Sequence, residues 1–588
     1  MSNWKDNMQE LTCDVVIVGA GPAGCCAALE AREHGHDVII LDKADIKWSG
    51  SAGRGIDLIH SLGTLPDVDT AIKSSQISYE RYYREPDLAN ENVIFRLWER
   101  EEWALEKLMK FYNLKWYDGK MLWAGTGGAY AGKSIRFNGL DLKPQLAAQV
   151  KKSGARIMNR TMMVDVLTKD GKAVGVTAVG TRKADIYIIK AKAVVLATGS
   201  ICRHFNPEMP THTYKMKYHH CPSAITGDYV AAWRVGAELC NMDMNEGSVP
   251  HMDYTCITRG CLIGVRPLKI KEYTCDGEDL YTKNPNELSK KMFRTLDEMG
   301  KTPIYRGFDH IPDEMLKELE VNYIDEGFVN LKMCGEHGFD PKYHRFEVPR
   351  DKPYPPDASA VQMPGLAVDE NFMTTVPGIF AIGDTVSCVG AVMSAVVTGY
   401  TVGDLMGTYL DSVTGEIEID EAQAEESVNI IKAPLEMDPE LGVTPSEYEC
   451  AIREYDERYI GIFKSKGKLA AGLRRLASLK KEFSSKLYAS NAHYLMRALE
   501  ARDVADMAEI MMTADMAREE TRGFFNRADF QQTDPERTGK LTYIKNVDGK
   551  PVAEIKAAPK LKEEFRNMPK LRVLFDENGD PVADADVL

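Results

Sequence analysis

Apolar residues cluster most sharply at the start of the chain. Val15-Val16-Ile17-Val18, preceded by Asp14, is a compact β-branched run without polar alternation, the pattern of a strand buried on both faces of a parallel sheet. Gly19-Ala20-Gly21-Pro22-Ala23-Gly24 follows at once, and Cys25 to His34, rich in Ala and Leu, reads as a helix that Gly35 ends. Val38-Ile39-Ile40-Leu41 is a second strand, closed by Asp42. The spacing predicts a βαβ unit with glycines at the turn.

The later pattern is a mosaic. Trp98 to Tyr112 and Leu142 to Lys152 read as amphipathic helices. Val164 to Leu167 and Val174 to Thr177, joined through Asp170-Gly171-Lys172, read as a hairpin. Ala191 to Gly199 is another buried strand ending in glycine, and Thr226-Gly227-Asp228 opens a helix that Gly236 stops. From Met242 to Pro355 aromatic, charged and proline residues dominate, with short helical runs such as Ile311 to Gly327, as expected of an inserted domain. The core pattern resumes near Gly365. Gly378 to Ile382 is a short strand before Gly383-Asp384, and Gly390 to Tyr409 is a small-residue helix suited to close packing. A helical region follows, with Asn491 to Arg518 its longest piece and Leu495, Leu499, Val504, Met507, Met511 and Ala514 its apolar stripe. Leu541 to Ile544 and Val552 to Ile555 predict a hairpin around Asp548-Gly549. The residues from Pro581 onward are expected to be loosely held.

The 588 residues are 44% hydrophobic and 27% charged, enough apolar material for several cores. The net charge of -15, without a long basic cluster, argues against a nucleic-acid partner. Met1 to Leu11 lack the pattern of a secretory signal, and no long uninterrupted apolar stretch suggests a membrane span, so a cytoplasmic location is expected. The 12 cysteines include no C-x-x-C pair, which argues against a disulfide scaffold and against an iron-sulfur cluster held by this chain.

The glycine turn carries the chemistry. Gly19 permits a tight turn, Gly21 lets a diphosphate approach the backbone, and Gly24 lets helix and strand pack closely. Pro22 and Ala23 begin the helix, whose free amides face the phosphates. Asp42, 23 residues after Gly19, can accept bonds from both ribose hydroxyls and would repel a 2′-phosphate. The segment Lys47 to Gly55 brings Ser49, Gly50, Gly53 and Gly55 to a place where backbone can approach a flavin. Ala197-Thr198-Gly199 and Gly383-Asp384, each after a buried strand, complete a site long enough for FAD, with Asp228 at the start of a nearby helix.

These motifs resemble those of the flavoprotein subunits of fumarate reductase, succinate dehydrogenase and dissimilatory adenylylsulfate reductase. The resemblance rests on VVIVGAGPAG at 15–24, ILDKADIKWSGSAGRG at 40–55, AKAVVLATGS at 191–200, ITGDYVAAWRVGAEL at 225–239, GLAVDENFMTTVPGIFAIGD at 365–384 and AREETRGFFNRADF at 517–530. GCLIGVRPLKIKEYTCDGEDLY at 260–281 is similar to the adenylylsulfate reductase side. The resemblance implies an α/β fold: a Rossmann-type FAD-binding domain in two parts (1–241 and 356–424), an inserted α+β capping domain (242–355), a helical domain (425–530) and a C-terminal extension with a hairpin (531–588). It also implies FAD contacts from Lys43 and Ser49, a ferredoxin-like iron-sulfur subunit as electron partner and a small-molecule substrate. Lys47-Trp48-Ser49-Gly50 offers none of the histidine through which some relatives tether the cofactor, so noncovalent FAD is expected. Ser387 to Met393 lacks the arginine that fumarate and succinate enzymes carry there, and no T-x-E-R stretch stands in the cap. Both departures weaken a dicarboxylate as substrate.

Reduction by a flavin needs an acid for the proton and a cation for developing negative charge. Arg54, between two glycines, and His219, His220, His251, Tyr254, Arg259 and Arg266, near the cap and its hinges, are the candidates. His219-His220 suggests no metal, since adjacent side chains diverge and no third ligand is suitably spaced. Trp123, Tyr130 and Trp233 could build a pocket for a bulky organic substrate. Arg518 and Arg522, four apart on one helix face, are expected to tie helices to the core through Glu519 or Glu520. Three activities fit: a reductase acting on an activated C=C or sulfur-oxygen group, a flavin oxidase or dehydrogenase working oppositely, and an FAD scaffold that only conducts electrons.

Overall fold

Strand β1 (Met8–Val18) lies in the middle of a seven-stranded sheet, paired in parallel with β2 (Val38–Asp42) on one side and with Ile186–Leu196 on the other. This computed structural model describes residues 8–582 except 57, 84–86, 115–121, 125–133, 137–138, 205–220, 222, 245–270, 281–295, 297, 308, 315–337, 339, 341, 349–363, 388–389, 462–463, 523–524 and 577–579. β1 begins six residues before the apolar run at Asp14, because Met8 to Cys13 gain a ladder partner in Ile186 to Ala191. Beyond β2 the edge is Arg156–Asn159. Beyond Ile186–Leu196 the hairpin Thr161–Lys169 and Lys172–Gly180 continues the sheet antiparallel, turning at Asp170 and Gly171, both with positive φ. Ile379–Ala381 adds a parallel pairing to the C-terminal end of Ile186–Leu196. Val15 to Ile17 and Val38 to Ile40 are completely buried, as the absence of alternation predicts.

Helix α1 (Pro22–Glu33) covers one face, with Pro22 at its first turn and Cys25 and Cys26 fully buried. The small-residue helix is Ala391–Leu405, and it lies on α1. A Cβ at Gly399 would stand 2.4 Å from the Ala23 carbonyl oxygen, and one at Gly403 would stand 2.4 Å from the Glu30 Cβ. Only glycine permits this approach, which fastens the late segment to the early one.

The C-terminal hairpin, Lys540–Val547 and Lys550–Ala557, turns at Asp548 and Gly549 as expected. It is no peripheral appendage. Lys540–Val547 pairs with Leu239–Cys240, which pairs in turn with Gly365–Leu366, making one four-stranded sheet from three distant segments. Between 242 and 355 the described residues form a separate antiparallel sheet of Lys271–Tyr273, Ile304–Gly307 and Phe346–Val348. Most of the helical run expected from Ile311 to Gly327 lies outside the described residues.

Helices Glu421–Glu436, Pro445–Tyr459, Lys466–Phe483 and Ala492–Ala517 make up the helical region. Asn491 caps the last of them, accepting from the amides of His493 and Tyr494. Its expected stripe is buried, but Ala501, Ala505, Ala508, Ile510 and Met512 are buried too, so neighbours enclose most of this helix. The helix ends at Ala517, which corrects the expectation that Arg518 and Arg522 share a helix face. Both nevertheless reach Glu520, and Arg518 also binds Asp243. Among the described residues no helix is long and apolar enough to cross a membrane.

Candidate functional site

A cleft runs along the C-terminal ends of the parallel strands, where open α/β sheets bind ligands. It holds about 1190 Å³ of atom-free space, the open solvent at its mouth included. Of the residues read from the sequence, Gly19, Gly21, Pro22, Ala23, Asp42, Lys43, Ser49, Gly50, Ala197, Thr198, Gly199, Asp228, Gly383 and Asp384 all line it. Gly24, Gly53 and Gly55 stand behind the lining.

The three early glycines differ in surroundings. Gly19, at φ +97°, abuts the next strand so closely that a Cβ would lie 2.5 Å from the Ala197 carbonyl oxygen. A Cβ at Gly24 would lie 1.9 Å from the Gly19 carbonyl oxygen, inside the turn. At Gly21 a Cβ would meet nothing within 4 Å, so its exposed side faces open space in the cleft. Gly50 lies against it, its hypothetical Cβ in van der Waals contact at 3.6 Å from the Gly21 Cα. Gly53 serves its own turn, with a Cβ there 2.0 Å from the Trp48 carbonyl oxygen, and Gly55 packs on Leu140.

Asp42 is buried at the end of β2. Its Oδ2 accepts from the Ala20 amide at 3.0 Å and its Oδ1 from the Ala44 amide at 2.7 Å. Two accepted bonds leave lone pairs on a carboxylate for sugar hydroxyls. Lys43 reaches away, to Glu500 at 2.8 Å. Glu500 also meets Arg203 at 2.8 Å, and Arg203 binds Glu449. Burial opposes the Glu500 charge, but Lys43, Arg203 and Arg497 outweigh it and bring the carboxyl down to about 2. This buried network joins the cleft wall to the helical region.

Asp384 works mostly for the fold. It accepts from the Ser200 hydroxyl at 3.0 Å and from the Ala391 amide at 3.1 Å, pinning the start of Ala391–Leu405. The Tyr229 hydroxyl lies 2.8 Å from the carbonyls of both Gly199 and Asp384, tying the two glycine turns together.

Three buried polar groups of the lining lack a well-formed hydrogen bond: the hydroxyls of Ser49 and Thr198 and both oxygens of Asp228. Burial pushes the Asp228 carboxyl up to about 7, although the Thr198 hydroxyl and the amides of Asp228 and Tyr229 stand near enough to moderate the rise. Buried polar atoms are ordinarily satisfied. Here they point to a polyhydroxylated ligand that completes them, and with the diphosphate turn and Asp42 they fit FAD.

Sequence reading missed several lining residues. Met162 and Met163 come from the hairpin, Ser223 to Ile225 precede Asp228, and Ala391, Val392 and Ala395 come from the late helix. Asp503, from Ala492–Ala517, also reaches the cleft. Its contact with Gly227, where a Cβ would lie 3.1 Å from its Oδ2, had no local signal to betray it. Trp233, one of the three rings that could build a pocket for a bulky substrate, is buried in the core at 3% exposure. His219, His220, His251, Tyr254, Arg259 and Arg266 lie outside the described residues, as do Tyr130 and the side chain of Trp123. Arg54 ends the short 3-10 turn Ser51–Arg54 beside the cleft, and its side chain is also outside what is described.

Residues 14–240 match the FAD dependent oxidoreductase family, and residues 451–573 match the fumarate reductase flavoprotein C-terminal family. The chain is 22% identical over 564 residues to a subunit of the fumarate reductase (CoM/CoB) of Methanothermobacter marburgensis, covering 89% of this chain and 95% of that one. It is 24% identical over 571 residues to an L-aspartate oxidase of Streptomyces coelicolor, covering 89% and 90%. Among solved structures, adenylylsulfate reductase from Archaeoglobus fulgidus superposes with a TM-score of 0.78 at 20% identity, covering 94% of this chain and 97% of that one. That likeness extends the shared fold across the regions outside both family matches. With one family at its start, the other near its end and a cleft whose lining fits FAD, the chain is an FAD-dependent oxidoreductase that carries a fumarate reductase flavoprotein C-terminal domain.

Proposed function

We propose that this chain is the flavin-bearing subunit of a reductase that passes electrons from a separate iron-sulfur protein to a small metabolite bearing an activated C=C or sulfur-oxygen group. The observation that carries the reading is the continuity of the cleft. One groove is lined in turn by Gly19 and Gly21 of the glycine turn, by Ser49-Gly50 and Asp228, and by Gly383 and Ala395, so it joins the early turn to the late Gly-Asp segment as a cofactor with two nucleotide halves requires. Bound there, FAD supplies two-electron chemistry at its isoalloxazine. The chain's own part is to grip the diphosphate on the amides at the start of α1 and to hold the adenosine ribose on Asp42. Ser49, Thr198 and Asp228 offer their unsatisfied polar atoms to the middle of the cofactor. No histidine, cysteine or tyrosine stands among the described lining residues, which supports noncovalent attachment. The described free cysteines are scattered over the fold, which supports an external electron donor. Arg54, His219, His220, His251, Tyr254, Arg259 and Arg266 remain the candidates for clamping substrate and delivering the proton.

The oxidative direction is a second reading, favoured by the likeness to L-aspartate oxidase over most of both chains. The test reads flavin absorbance in the purified chain. Anaerobically reduced protein is mixed with fumarate, with adenylylsulfate and with buffer, and oxidised protein with L-aspartate. Reoxidation by one of the first two, faster than in buffer, supports the reductase. Bleaching by L-aspartate, with reoxidation by oxygen alone, overturns it in favour of the oxidase.

A further inference from the structure

Lys143 is completely buried near the start of the helix Leu142–Lys152, directly behind the diphosphate turn. Its ammonium donates to the Ala20 carbonyl, and the Cys25 Sγ lies 3.7 Å away. Burial raises the Cys25 thiol above its ordinary value, so that neighbour is a neutral thiol. Among the described residues no carboxylate lies within hydrogen-bonding or ion-pairing reach of the Lys143 nitrogen. Fully buried lysines are rare unless paired. The partner has to come from elsewhere.

The bonding pattern shows where. The Ala20 carbonyl belongs to the same peptide group as the Gly21 amide. A cation on that oxygen polarises the peptide and strengthens the N–H at its other end. The Gly21 residue faces the open part of the cleft, and the first turn of α1 adds its own positive end. On the preceding peptide, the Ala20 amide donates to Asp42 at 3.0 Å. The peptides on both sides of the Ala20 Cα are thus held by buried ionisable side chains, one of each sign.

We infer that Lys143 is a positioning residue for the diphosphate of the cofactor: it acts through the Ala20–Gly21 peptide, and the bound diphosphate is its counter-charge. This rests on FAD occupying the cleft and adds a residue that touches the loop rather than the cofactor. The buried ammonium completes a relay from side chain to carbonyl to amide to phosphate, and it places one full positive charge behind a turn that otherwise offers only dipoles.

The experiment uses full-length Lys143→Met and Lys143→Gln chains stripped of flavin, titrated calorimetrically with FAD, ADP and adenosine. FAD and ADP, which carry the diphosphate, are expected to bind roughly 10- to 100-fold more weakly to both variants than to the parent chain. Adenosine, which lacks it, stays within about threefold. The glutamine variant retains a donor for the Ala20 carbonyl and carries the test if the methionine variant does not fold. Equal losses for ADP and adenosine, unchanged ADP binding, or failure of both variants to fold would each overturn the proposal, because each makes Lys143 a scaffold residue. A parent chain that binds neither FAD nor ADP fails differently, by removing the cofactor reading itself.

Discussion

Replacing Asp228 by asparagine keeps the shape of the side chain and removes its charge, so it isolates the electrostatics of the cleft. The carboxyl is 3% exposed, and burial raises it to about 7 from an ordinary value of 3.8. An acid raised in this way is protonated in the folded protein at a pH where the unfolded chain has already released the proton. Between about pH 4 and 7 the folded state therefore holds more protons, and stability falls as pH rises. The contribution is fully present below about pH 4 and lost as pH climbs through about 7. At up to about 1.4 kcal/mol per pH unit, the whole window is worth on the order of 4 kcal/mol, an upper bound because water entering the cleft relaxes the penalty. The assay is urea unfolding of the deflavinated full-length chain, followed by tryptophan fluorescence from about pH 5 to 8, with Asp228→Asn beside the parent. The two should lie closest in urea resistance near pH 5, where about one pH unit of the window has been crossed, and would coincide only below about pH 4. The variant should then become the more resistant of the pair as pH rises. Other titrating groups are common to both chains and drop out of the difference. A difference that stays level with pH, or that widens toward acid, would refute the reasoning.

Three further outcomes follow from contacts already described. Asp42→Ala removes the acceptor of the Ala20 and Ala44 amides and, on the proposed function, the group that holds the ribose, so purified protein should retain less flavin, read as the ratio of flavin to protein absorbance; full occupancy would exclude the sugar-binding role. Gly24→Ala forces a Cβ to within 1.9 Å of the Gly19 carbonyl oxygen, so the turn must open; soluble yield and flavin content should both fall sharply, while an unchanged holoprotein would show that helix and strand can separate freely. Glu500→Gln leaves Lys43, Arg203 and Arg497 sharing a neutral partner and should cost roughly 3–5 kcal/mol in chemical unfolding at neutral pH. Because that carboxyl is held down to about 2, its contribution is present above about pH 4.5 and fades as pH falls toward 2, so the parent and the variant should converge in acid.

The legible parts of the molecule are those where neighbours in sequence are neighbours in space. The βαβ unit was readable because a buried strand, a glycine turn and a helix must follow one another within about 30 residues. The two Asp-Gly hairpins were readable because their turns demand positive φ, which the structure shows at Asp170, Gly171, Asp548 and Gly549. The Gly390 to Tyr409 segment announced close packing through its small residues, although not that α1 would receive it. Failures share one cause. Lys143 reads as an ordinary polar residue at the start of an amphipathic helix, yet it is buried against Ala20 across a separation of 123 residues. Asp503 and the Met162-Met163 pair belong to elements whose local pattern speaks only of their own core. Arg518 and Arg522 found Glu520 without sharing a helix face, because the helix stops at Ala517.

From residue order alone one could derive the glycine turn, the acid that ends the next strand and the kind of cofactor such a pair suits, because backbone conformation and short-range periodicity encode them locally. Tertiary packing alone decided which distant groups close around that turn. It set Lys143 behind the loop, brought Gly383 within reach of Ala23, and joined Leu239–Cys240 to both Gly365–Leu366 and the C-terminal hairpin. It also left the Asp228 carboxyl shut away from water without a well-formed hydrogen bond, since desolvation depends on every segment that happens to cover a group and on none of its neighbours in the chain.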